Sequence, residues 1–117
     1  MDVMNKNLLK NMSYVDGEWI NAKDGSSSEI LNPATSESLG FVPNCGSVET
    51  IAAIEAATKA QSIWSKTNAK ERSSVLKNLH GLMLENQEDL AKIITLEGGK
   101  PISESIGEIA YAASFFE

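Results

Sequence analysis

At 117 residues, with 42% apolar and 22% charged residues, the chain has the size and composition of one small globular domain with a modest core. A formal charge of −6, with ten basic residues scattered rather than clustered, argues against a nucleic-acid partner. The single cysteine, Cys45, excludes an internal disulfide and points to a reducing, cytoplasmic setting, and no apolar run is long enough to span a membrane.

Residues 1–12 carry neither a signal-peptide pattern nor a regular period and are expected to form a flexible leader. Structure begins at Tyr14-Val15, where Asp16-Gly17 and then Glu18-Trp19-Ile20 make a hairpin signal. A Gly/Ser-rich loop, 24–28, precedes Glu29-Ile30-Leu31. The Asn32-Pro33 breaker then leads to a second extended run, 38–42, ended by Pro43.

At Ser47 the period changes. Ser47 is the expected N-cap of a helix reaching Trp64, with Ala53, Ala56, Ala57, Ala60 and Trp64 on one face. A second helix is expected over 69–85, with Val75, Leu76, Leu79, Leu82 and Met83 as its apolar face. A third, over 87–96, is capped by Asn86 and turns Leu90, Ile93 and Ile94 inward. The fourth starts at Pro101 with Ile102, Ile106, Ile109, Ala110, Ala113 and Phe116 along one stripe. That stripe runs to Phe115-Phe116-Glu117 without a stop signal, so the last helix is expected to be cut within a larger domain.

The stretch Thr95-Leu96-Glu97-Gly98-Gly99-Lys100-Pro101 invites a phosphate-loop reading. That motif needs a glycine five residues before the Gly-Lys pair and a Ser or Thr after it; here those positions hold Ile94 and Pro101. The dinucleotide fingerprint fails too, because it needs three spaced glycines after a strand. Helix-stop chemistry accounts for the stretch: Gly98 or Gly99 supplies the left-handed residue that ends one helix, and Pro101 starts the next. Glu97 is either an exposed acid opposing the helix dipole or an oxygen ligand for a cation. Cys45 has one histidine in the chain to partner it, His80, and nothing in the sequence joins them. No Cys/His cluster has metal spacing. Glu88-Asp89 reads as first-turn dipole complementation. On the residues alone there is no catalytic apparatus.

The ordered set of motifs resembles the start of the aldehyde dehydrogenase superfamily. It comprises Tyr14 to Trp19, Asn32-Pro33-Ala34-Thr35, the alanine helix ending at Trp64, Glu71-Arg72, and Leu90 to Pro101. The final stretch, Gly107 to Glu117, is most similar to succinate-semialdehyde dehydrogenases. The resemblance implies an α/β parent fold, of which this chain is an α+β part: a β-hairpin region followed by four amphipathic helices. Residues 13–117 would be the N-terminal part of the NAD(P)-binding domain. It further implies oxidation of a small-molecule aldehyde to a carboxylate through a cysteine thiohemiacetal and thioester, with NAD or NADP taking the hydride. The enzyme would be a soluble homo-oligomer. No catalytic or cofactor-binding residue falls on this chain, so by itself it is expected to be inactive. In relatives a structural sodium or potassium ion is held at positions matching the Leu31 carbonyl and Glu97. The helix after Gly-Lys-Pro borders the substrate tunnel, which places Ala112 and Phe116 there; core packing is the competing role for Phe116. A stand-alone helical interaction module, or an aldehyde dehydrogenase of another specificity, are the alternative readings.

Overall fold

The computed structural model describes residues 1–117. Four short strands, β1 (Ser13–Val15), β2 (Glu18–Ile20), β3 (Ser27–Leu31) and β4 (Ser38–Pro43), precede four helices: α1 (Ser47–Trp64), α2 (Ala69–Glu85), α3 (Gln87–Gly98) and α4 (Ile102–Ser114). The strands form two separate two-stranded antiparallel sheets, β1–β2 and β3–β4. The chain divides into two compact units. Residues 10–30 and 40–68 make one; residues 1–9, 31–39 and 69–117 make the other.

In the first unit, Asp16 and Gly17 both adopt positive φ, 52° and 80°. This is the type I′ turn whose twist matches paired strands, and it sets the register Tyr14↔Trp19. Glu49 organises the start of α1. Its carboxylate accepts the Lys23 N–H at 2.7 Å and the Gly46 N–H at 2.8 Å, joining the loop after β2 to the helix. The N-cap is therefore Gly46, not the expected Ser47. Gly46 has no side chain, so only the glutamate half of a capping box forms. The expected alanine face is realised weakly: Ala53 and Ala56 are half-buried, while Ala57, Ala60 and Trp64 are exposed.

In the second unit, α4 packs on α2 and α3. Small residues make the close approach possible, since Ala91, Ser105 and Ala113 are fully buried beside Ile109. The Thr95 and Ser105 hydroxyls share a hydrogen bond of 2.9 Å across this contact. Gln87 Nε2 donates to the Ile106 carbonyl at 3.0 Å. His80 Nδ1 lies 2.8 Å from the Ala113 carbonyl. A carbonyl can only accept, so Nδ1 carries the proton.

Several expected details differ. Pro101 is the N-cap of α4 rather than its first helical residue; its carbonyl accepts from Glu104 and Ser105. Ser105, outside the expected stripe, is buried, whereas Ala110 is exposed. The expected apolar face of α2 is largely uncovered, with Val75, Leu76, Leu79 and Leu82 between 40% and 57% exposed. In the N-terminal stretch read as a flexible leader, residues 1–9 belong to the helical unit. Val3 is 3% exposed, Lys6–Leu8 form a 3₁₀ turn, and the Met4 and Asn5 N–H groups donate to the two Asp89 oxygens at 3.0 and 2.7 Å. Long-range bonding of this kind leaves no local pattern in the sequence.

Candidate functional site

The α3–α4 turn concentrates the chemistry the sequence singled out, all within the helical unit. Gly99, at φ 74°, is the left-handed residue that stops α3, and its N–H donates to the Thr95 carbonyl. Lys100 pairs with Glu108 on α4. That hydrogen bond holds the Lys100 ammonium above the usual lysine range. The lysine is therefore engaged by its own helix neighbour, and no strand precedes the turn, as a phosphate cradle requires.

Glu97 lies in the last turn of α3 and is exposed. It lines a cavity of about 170 Å³ together with Val3, Leu9, Leu39, Ile93 and Leu96, with Asp2 and Lys6 also at its wall. Leu31 ends β3, is 47% exposed, and is not among the residues lining that cavity. No group of three His, Cys, Asp or Glu side chains is placed to hold a metal. A carboxylate and a backbone carbonyl are hard oxygen donors that suit sodium or potassium, but they complete only part of the shell that hard cations demand.

Ala112 on α4 and Phe116, two residues past its end, are both half-buried, on either side of the fully buried Ala113 in the sequence. Cys45 is exposed, with its thiol 3.5 Å from the Ser13 hydroxyl. A hydroxyl is no general base at neutral pH, so this arrangement does not activate the thiol. His80 is committed to Ala113. The chain's own residues do not fit a dinucleotide: both sheets are antiparallel hairpins, and no glycine-rich strand-to-helix turn exists to receive a pyrophosphate.

Sequence reasoning assigned Asp89 to dipole complementation and missed its main role. The Met4 and Asn5 amides, and then Lys92, hold its carboxyl below the usual range. Glu49 was missed altogether. The amides of Lys23 and Gly46 lower its pKa likewise. Its three-residue spacing from Gly46 was the available signal.

The pattern of the aldehyde dehydrogenase family matches residues 19–117, and the chain belongs to that family. It is 49% identical over all 117 residues to a glutarate-semialdehyde dehydrogenase of Pseudomonas putida, and 46% identical to the NADP(+) succinate-semialdehyde dehydrogenase GabD of Escherichia coli. In each case it covers 24% of the relative. Among solved structures, the succinate-semialdehyde dehydrogenase of Burkholderia pseudomallei superposes with a TM-score of 0.95 at 46% identity, over 98% of this chain and 24% of that one. The chain thus spans about a quarter of the length of the relatives it matches, and the match is to their N-terminal part.

Proposed function

We propose that the chain serves as the N-terminal part of an NAD(P)-dependent dehydrogenase that oxidises a small aldehyde bearing a distal carboxylate, of the succinate-semialdehyde type. The carrying observation is identity of 46–49% along the whole chain to semialdehyde dehydrogenases. The nucleophilic cysteine, the base and the dinucleotide site belong to the part of the fold outside these residues, and the chain by itself turns over nothing. The setting is a cytoplasmic homo-oligomer. A chimera tests this: the chain replaces the matched quarter of the E. coli relative, and NADPH formation is followed with succinate and glutarate semialdehydes. Turnover by the chimera and none by the isolated chain is expected. A soluble chimera without turnover, or turnover by the isolated chain, refutes the reading.

Within that enzyme we assign the Leu31 carbonyl and Glu97 to a structural sodium or potassium site. The support is the exposed carboxylate at the negative end of α3, where cations are favoured. Replacing potassium by choline is expected to lower the thermal midpoint of the chimera, and Glu97→Gln to abolish that difference. Ala112 and Phe116 are assigned to the tunnel wall, each being half-buried at or just past the end of α4. Phe116→Ala is expected to raise KM for the aldehyde more than it changes the thermal midpoint. The second reading, an interaction module, draws on Tyr111 and Phe115, 69% and 70% exposed at the end of α4. A monodisperse dimer of the isolated chain in light scattering would favour it.

A further inference from the structure

Polar side chains tie α4 to α2 and α3 along its length, all within the helical unit. From α3, Thr95 shares a hydrogen bond of 2.9 Å with Ser105, and Gln87 donates to the Ile106 carbonyl at 3.0 Å. Lys100, in the turn, pairs with Glu108. These contacts hold the first half of the helix. The second half is held from α2, where His80 Nδ1 donates to the Ala113 carbonyl at 2.8 Å. Ala113 is fully buried and His80 half-buried, so this bond forms where the dielectric is low and is stronger than it would be in water. The same carbonyl accepts the Phe116 N–H at 3.0 Å. An oxygen with two lone pairs takes both donors. Ala113 O is therefore already satisfied without His80. The imidazole adds direction rather than rescuing a stranded acceptor.

We propose that His80 is a positioning residue for the aldehyde site: by gripping the Ala113 carbonyl it holds Ala112 and Phe116 in the tunnel wall, and so sets the affinity for the aldehyde. This rests on the functional reading above, which assigns those two residues to the wall. Ala112 is one peptide unit before the gripped carbonyl, and Phe116 is hydrogen-bonded to it. One side chain on α2 thus governs both. Binding residues have to be held to within about 0.5 Å by the hydrogen bonds behind them, and an apolar helix contact alone does not fix a helix against sliding or rotation to that tolerance. His80 touches no reacting group in this scheme; it acts through the backbone of α4. The protonated imidazole also carries a proton on Nδ1, so the grip is kept in both charge states of the ring.

Two variants separate direction from bulk. His80→Phe keeps a ring and removes the donor; His80→Asn keeps an N–H at the place of Nδ1. In the chimera with the E. coli relative, His80→Phe is expected to raise KM for succinate semialdehyde about three- to ten-fold, the worth of one neutral hydrogen bond, with kcat within about two-fold. His80→Asn is expected to stay within about two-fold of the parent in both. Amide exchange at Phe116 is followed in the chain itself, where it needs no turnover. It is expected to quicken about three- to ten-fold in His80→Phe and to return towards the parent rate in His80→Asn. Unchanged KM in His80→Phe, an equal KM rise in His80→Asn, or unchanged Phe116 exchange each overturns the proposal. A parent chimera without turnover, with exchange that quickens in His80→Phe and recovers in His80→Asn, leaves the grip on α4 standing and removes the functional reading alone.

Discussion

Replacing each glycine of the Gly98-Gly99 pair by alanine separates the two roles this turn combines. Gly99 sits at φ 74°, and a Cβ built there would lie 3.0 Å from Pro33 Cγ. The left-handed backbone costs an L-residue about 1–2 kcal/mol. The contact adds on the order of 1 kcal/mol, because a proline ring cannot rotate away as a flexible side chain can. Gly99→Ala is therefore expected to destabilise by about 2–3 kcal/mol. Gly98 is the last residue of α3, and a Cβ there would meet nothing within 4 Å. Gly98→Ala is expected to be neutral or stabilising by up to about 0.5–1 kcal/mol, through reduced freedom of the unfolded chain. Urea unfolding followed by helical circular dichroism measures both. With a slope of about 1–3 kcal/mol/M, the two midpoints should differ by about 1 M or more. Equal midpoints, or a larger loss for Gly98→Ala, would refute the assignment of Gly99 as the helix stop.

Two further outcomes follow from the polar contacts. Ser105 is fully buried and shares a hydrogen bond with Thr95, so Ser105→Ala strands the Thr95 hydroxyl and should cost about 1–3 kcal/mol. Adding Thr95→Val should recover part of that loss, and a strictly additive double-mutant cycle would show the pair uncoupled. Asp89 and Glu49 both have carboxyls held below their ordinary values in the folded state by backbone amides. A depressed folded pKa contributes stability above the unfolded value. That contribution is lost as pH falls through the folded one, so both anchors weaken below about pH 4. Asp89→Asn should raise amide exchange at Met4 and Asn5 at neutral pH and flatten its acid dependence; unchanged exchange would show that Asp89 does not hold the segment.

Local chemistry made much of the secondary structure legible. Asp16-Gly17 demands positive φ at two successive residues, and only a hairpin turn accommodates that pair between β-formers. The period change near residue 47, and the alternation of apolar spacing with breakers, located the helix starts to within a residue; the last helix, expected to run on to Glu117, stops at Ser114. The glycine pair could not be resolved from sequence, because either residue can adopt the left-handed conformation. The approach of Pro33, 66 residues earlier in the chain, bears only on Gly99. The candidate site was legible as a set of residue types. Its geometry was not, because Glu97 acquires its surroundings from residues of the N-terminal stretch and of β4.

The sequence by itself determined the order and kind of elements, the failure of the phosphate-loop reading and the family resemblance. These depend on residue identity at fixed local spacing. Only the tertiary structure decided that residues 1–9 are packed and bonded to Asp89, that Glu49 ties a loop to α1, that Ser105 is buried, and that the α2 stripe lies open beside an unpaired Arg72 nitrogen. Each of these depends on which distant groups arrive to bury or bond a side chain. Helical periodicity marks the face that is fit to be covered; whether it is covered depends on partners that the period does not encode.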